Sequence, residues 1–273
     1  MIKPGIYPHL SNDHYHTDTA ISRSGIMMFL DSPYKYWAHY INPDRPSKKQ
    51  TDAMEFGSAF HMLVLEPDLF DENYIMKPKK VLLKEVGEEL YRKYKSVCDY
   101  IENHELIALE FEDFNTLCRM RDAILNHKEA YELIQNAVIE CSHFWEDPHT
   151  GIMCKARPDV LSQNYVVDLK TIANASPSYF QRAMSDHGYH IQAAMIRDAI
   201  RENGGADIKT FINICIEKTY PYQIGIYIID DEALEIGRQE YKQALLDMKV
   251  CREKDEWPSY EIQSINLPTW RKK

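Results

Sequence analysis

Asp159, Asp168 and Lys170 are the residues whose types and spacing could do chemistry, with Arg157 close by. They fall in GIMCKARPDVLSQNYVVDLKT, residues 151–171, which reads as two short strands joined by a tight turn at Ser162-Gln163-Asn164-Tyr165. The second strand, running from Tyr165, is rich in β-branched and aromatic residues that suit a pleated, half-buried surface. A turn centred between Gln163 and Asn164 sets Asp159 opposite Asp168 and Arg157 opposite Lys170. Side chains alternate along a strand, so these four share one face. Ala156, Pro158, Val160, Val167 and Leu169 take the other, as a core side. Two carboxylates placed cross-strand, with Cβ atoms about 5 Å apart, repel unless a cation offsets them. Two carboxylates and a lysine around an implied divalent metal are the equipment of phosphodiester hydrolysis.

The rest of the chain has to hold that face in place. With 273 residues and 44% apolar content, a substantial core is possible. No internal repeat or low-complexity linker divides the chain. The simplest expectation is one domain over 1–273, with 1–136 mainly helical and 137–273 forming the catalytic sheet. The net charge of −10 is unlike that of a generic nucleic-acid-coating protein, so a DNA surface would have to be locally basic. There is no run of the roughly 18 apolar residues that a membrane span needs, and MIKPGIYPHL lacks the apolar core of a signal peptide. Six scattered cysteines without a CxxC pattern fit free thiols in a reducing cytoplasm.

Helical periodicity dominates the first half. Ser22 or Ser24 is a natural cap, and Pro33 opens a second helix whose run from Tyr34 to Tyr40 suits either amphipathic packing or base stacking. Residues 42–51 form a polar loop with Lys48 and Lys49 able to touch a phosphate backbone. Residues 52–66 read as a helix stopped by Pro67. Gly57 and His61, four residues apart, share one face of it, and Gly57 would admit close backbone approach. By itself His61 is either a hydrogen-bonded structural residue or a ligand. Two apolar stripes between 84 and 136 read as scaffold helices, one from Tyr91 to Ile101 and one from Phe111 to Leu125.

Residues 138–146 read as one strand feeding the hairpin, which makes a three-stranded antiparallel meander. Glu140 or Glu146 could reach the metal face, and register alone decides neither. Helices over 177–186 and 189–202, strands over 211–217 and 223–229, and a helix over 231–251 complete the expectation. The class is α/β, or α+β.

Pro158-Asp159 followed by Asp168-Leu169-Lys170 resembles the signature of the PD-(D/E)xK nuclease superfamily. Gly57-Ser58-Ala59-Phe60-His61 resembles the GxxxH element of its RecB-like branch, Glu140 the strand glutamate, and Tyr189-His190-Ile191-Gln192 the glutamine-bearing helix. Over almost the whole chain the sequence is similar to the C-terminal nuclease domain of the RecE (exonuclease VIII) family, through PGIY, SNDHYH, ISRS, GSAFHMLVLEP, WEDPHTGIMCKARPD and DEWPSY. It departs at Ile196, where many RecB-like nucleases carry a tyrosine four residues after the glutamine.

The resemblance implies a restriction-endonuclease-like core, a central mixed sheet flanked by helices with an N-terminal helical part. It implies a Mg²⁺-dependent 5′-to-3′ exonuclease on linear double-stranded DNA, acting in recombination beside a RecT-like single-strand annealing protein. A homo-oligomeric ring threaded by DNA is implied as well. Asp159, Asp168, His61 and the Leu169 carbonyl would hold the metal. The imidazole donor means that Mn²⁺ should substitute. Lys170 would orient or deprotonate the attacking water, with Gln192 in the catalytic set and Glu140 and Tyr189 supporting it. Arg157 would bind a phosphate or form a surface ion pair. A catalytically silent DNA-binding or assembly subunit, an endonuclease and a single-strand-specific nuclease are the alternatives.

Overall fold

A computed structural model describes residues 2–46, 51–81 and 83–267. Lys48, Lys49 and the basic tail residues Arg271, Lys272 and Lys273 lie outside the described residues. The first part runs β1 (Gly5–Tyr7), α1 (Asn12–Thr17), α2 (Arg23–Asp31) and α3 (Pro33–Tyr36), which continues as a π-helical turn, Trp37–Ile41. Next come α4 (Asp52–Leu65), α5 (Pro67–Asn73), β2 (Tyr74–Met76), α6 (Leu83–Asn103), β3 (Ile107–Leu109), α7 (Phe111–Asn126) and α8 (Lys128–Ile134). The second part runs β4 (Val138–Ile139), β5 (Ser142–Glu146), β6 (Met153–Ala156), β7 (Val160–Leu161) and β8 (Tyr165–Ile172). It closes with α9 (Pro177–Asp186), α10 (Tyr189–Glu202), β9 (Thr210–Glu217), β10 (Ile224–Ile229) and α11 (Asp231–Lys254).

The central sheet has the order β10-β9-β8-β7-β4 and is mixed: β8 and β9 are parallel, the other pairs antiparallel. A parallel pair needs a crossover, and α9 and α10 supply it. Strand β8 is buried on both faces. Val166 packs with Ile191 and Ala194 of α10 and Tyr241 and Leu245 of α11. Val167 and Leu169 pack with Ala59, Phe60 and Leu63 of α4 and Leu117 of α7. The two helical layers thus grip the strand that carries Asp168 and Lys170.

The 160–167 hairpin has the expected register, Val160 against Val167 and Leu161 against Val166. The expected uninterrupted meander does not form. Residues 138–146 split into β4 and β5, and residues 153–161 into β6 and β7. β4–β7 and β5–β6 nevertheless keep one common register, so Glu140 stands opposite Asp159 inside the gap. Two local features open that gap. Glu140 adopts a left-handed φ of 48°, and Pro158 has no N–H to give the ladder. A backbone hydrogen bond bridges it, from Glu140 N to Asp159 O at 3.1 Å. β5 and β6 then leave the central sheet and join β1 in a second, antiparallel one.

Other differences are local. Pro67 both ends the 52–66 helix and starts α5 as its first residue. The 84–136 segment also holds β3, which pairs in parallel with β2. Along α6 the Tyr91-to-Ile101 stripe stays half-exposed or exposed, whereas Leu117, Met120 and Ile124 of α7 are fully buried.

Candidate metal and catalytic site

His61 reaches the site from α4. The Thr51 side chain caps this helix by accepting from Met54 N at 3.3 Å. Ala59, Phe60 and Leu63 fix its roll by packing into the core under β8. His61 is then turned toward the gap between the β4–β7 and β5–β6 pairs. Its Nδ1 lies 3.4 Å from Asp159 Oδ2 and 3.9 Å from Glu140 Oε1. One nitrogen and two carboxylate oxygens from His61, Glu140 and Asp159 all lie within 4.8 Å of one another.

Burial and mutual charge set the protonation of this trio. Burial disfavours a charged imidazole, but the Asp159 and Glu140 carboxylates outweigh it and push His61 up to about 10. Burial also raises Asp159, yet the His61 charge, Lys170 and the Leu169 N–H hold it below the usual carboxylate range. Its Oδ2 accepts from Leu169 N at 2.6 Å. Glu140 goes the other way, because burial dominates its partners. The imidazolium therefore neutralises a cluster whose donors, one nitrogen and two carboxylates, fit a divalent cation. Glu140, expected to support the metal donors, lies within this candidate trio. Asp168 is not part of the 4.8 Å trio.

Asp168 anchors an adjoining network. Alternation on β8 points Asp168 and Lys170 to the α10 side. Lys170 Nζ lies 2.5 Å from Asp168 Oδ2. Gln192 of α10 bridges the pair: its Nε2 donates to Asp168 Oδ1 at 2.7 Å, and its Oε1 accepts from Lys170 Nζ at 3.0 Å. Asn213, the β9 register partner of Asp168, donates to Oδ2 at 3.1 Å. Tyr189 closes the rim, with its ring centroid 4.8 Å from Lys170 Nζ. Burial raises the Asp168 carboxyl above its ordinary value; Asp159 adds to this and Lys170 opposes it. Ile196, at the departure from the RecB-like pattern, is packed in the core.

Asn213 escaped the sequence reading. The available signal was a lone amide inside the apolar run FINICIE, and only the parallel register with β8 shows what it faces.

Arg157 is placed elsewhere. The break after β6 removes it from any ladder opposite Lys170. Its Nε donates to Ser142 Oγ at 2.7 Å and its Nη2 to Leu10 O at 2.9 Å, while Nη1 reaches Asn12 Oδ1. The guanidinium also lies 4.2 Å over the Tyr15 ring. It pins the N-terminal segment to the second sheet. Gly57 shares the His61 face, but a Cβ there would meet only Thr171 Oγ1, at 3.9 Å, so no backbone approaches it. Among the described residues no helix is long and apolar enough to cross a membrane, and all six cysteines are free thiols.

No curated protein shows significant sequence similarity to the chain. Its fold is similar to the crystal structure of a candidate exonuclease from Eubacterium rectale. The TM-score is 0.64 at 16% identity, over 95% of this chain and 96% of that one. That likeness is one of fold, a mixed sheet between helical layers. Residues 22–267 match the model of one family, and the chain belongs to it: the PDDEXK-like domain of unknown function (DUF3799).

Proposed function

We propose that the chain is a Mg²⁺-dependent exodeoxyribonuclease, a phosphodiester hydrolase that degrades linear double-stranded DNA from 5′ to 3′. The observation that carries this is the meeting of two half-sites across the strand gap: the His61, Glu140 and Asp159 donors, and the Asp168, Lys170 and Gln192 network. His61, Glu140 and Asp159 would hold the metal, with Asp168 and the Leu169 carbonyl beside them. A bound divalent metal supplies Lewis acidity and charge for the phosphoryl oxygens. His61 must first surrender its proton, which its neighbours bind tightly. Lys170, held in direction by Gln192 Oε1, orients the attacking water or takes its proton, and its charge faces the phosphate. Mn²⁺ replaces Mg²⁺ readily, because the donor set includes an imidazole.

The resemblance of the sequence motifs to those of the RecE family supports the finer parts of the reading. These are 5′-to-3′ polarity, a RecT-like annealing partner in homologous recombination, a cytoplasmic setting and a DNA-threaded homo-oligomeric ring. Digestion of linear duplex labelled at either end, beside closed circular DNA and the Asp168→Ala variant, tests the proposal. Mg²⁺-dependent loss of 5′ label from linear DNA alone, abolished in the variant, is the expected result. Cleavage of closed circles would make the protein an endonuclease. Equal inertness of wild type and variant in Mg²⁺ and Mn²⁺ would leave a silent DNA-binding or assembly subunit.

A further inference from the structure

The turn joining β9 to β10 lies at the end of the sheet toward which β8 carries Lys170. β8 and β9 run side by side with Lys170 level with Cys215 and Ile172 level with Glu217. The turn residues Lys218, Thr219, Tyr220, Pro221 and Tyr222 therefore project just past the last residue of the catalytic strand. Helix α4 meets them there, with Lys218 Nζ 5.2 Å from the centroid of the Phe56 ring. Phe56 precedes His61 by five residues, about 7.5 Å of helix rise.

The base of this turn is fixed and its tip is exposed, with the Tyr220 and Tyr222 rings edge to face at 6.4 Å between centroids. Glu217 N donates to Gln223 O at 3.0 Å, and Tyr222 N to Thr219 O at 2.7 Å. The Glu217 carboxylate accepts from Ala175 N at 2.8 Å, and the Tyr227 hydroxyl donates to Ala175 O. Tyr222 packs down against the core cluster shared with α4. Tyr220 is left 84% exposed, beyond even Tyr260 at 63% and Phe111 at 58%. An aromatic ring held out on an anchored turn, with a lysine two residues away, has the two elements of a single-strand platform: a face for a base and a charge for a phosphate.

We propose that Tyr220 stacks on a nucleobase of the DNA strand entering the site, with Lys218 near its phosphate. This rests on the nuclease reading and adds a substrate contact to it. Lys218 sits against Phe56, less than two turns of α4 from His61, so the stacked base lies on the strand beside the site and not at the scissile bond itself. The contact is sequence-tolerant, because every base has a π-face.

The test uses duplex DNA with 2-aminopurine at each of the first five positions from one end, bound to the full chain in EDTA so that no hydrolysis intervenes. Wild type should change the fluorescence of the probe at one or two adjacent positions. Tyr220→Ala should lose that change and bind about 5- to 150-fold more weakly, whereas Tyr220→Phe and Tyr220→Trp should keep both. A Tyr220→Ala variant that binds and shifts the probe like wild type overturns the stacking proposal, and so does equal loss in the Phe and Trp variants. If wild type shifts the probe but releases no nucleotides in Mg²⁺ or Mn²⁺, the stacking stands and the nuclease reading falls.

Discussion

Glu140 and Asp159 face one another inside a gap in a hairpin whose register is the same on both sides of it. The left-handed backbone at Glu140 and the missing N–H of Pro158 free both carboxylates from the ladder. His61 then meets them from α4. The site is therefore built on a fault in the sheet, and rigid strands on either side locate it.

Metal loading should expel a proton. His61 is raised to about 10 by its carboxylates, so it is protonated at neutral pH without metal, and its nitrogen can ligate only when neutral. Calorimetric titration of Mn²⁺ at pH 7.5 in buffers of different ionisation enthalpy should show release of nearly one proton. Buffer-independent heats would contradict the assigned His61 state.

The same group sets a pH dependence of stability. A folded-state value above the unfolded one of about 6.5 stabilises the fold fully below that pH. The contribution declines as pH rises from there toward about 10. In EDTA, the urea midpoint of wild type should fall relative to that of His61→Asn between pH 6 and 10. Parallel curves for the two proteins would rule the linkage out.

Gln192 ties Asp168 to Lys170 and should act through them. Gln192→Ala should lower kcat about 10- to 100-fold, in the range for residues that orient catalytic groups, and leave the thermal midpoint near wild type. A loss confined to KM would mean that it serves only substrate binding. Asn213 is buried beneath Asp168. Asn213→Ala should cost roughly 1–3 kcal/mol of unfolding free energy, because the buried Asp168 carboxylate loses one of its donors. Urea unfolding reads that cost directly.

Two helical glycines should respond oppositely to alanine. At Gly57 the nearest atom to a new Cβ is 3.9 Å away, so Gly57→Ala should be neutral or stabilise by about 1 kcal/mol. At Gly237 of α11 the new Cβ would fall 2.4 Å from the His190 carbonyl oxygen. Gly237→Ala should force α11 off α10 and lower the thermal midpoint by several degrees or more. Equal midpoints for the two variants would show that α10 and α11 are not packed this closely.

Alternation and turn chemistry made the 160–167 register, helices α9 and α10 and the Asp168–Lys170 pair legible in the sequence, because these depend on local pattern. The gap did not follow from pattern. Uninterrupted alternation put Arg157 beside Lys170, whereas a proline and one left-handed residue send it to Ser142 and the N-terminal segment. Glu140 was visible as a candidate, but its place beside His61 and Asp159 depends on the backbone turning there. Asn213 needed the parallel β8–β9 pairing, which no local signal encodes.

The most direct measurement is the rate of nucleotide release from end-labelled linear duplex, with Mg²⁺ or Mn²⁺, for wild type and Asp159→Ala. The account predicts release that requires the metal and falls by at least about a thousandfold in the variant, a loss of about 4 kcal/mol in transition-state stabilisation. Release that persists in EDTA, or that survives Asp159→Ala, would contradict it.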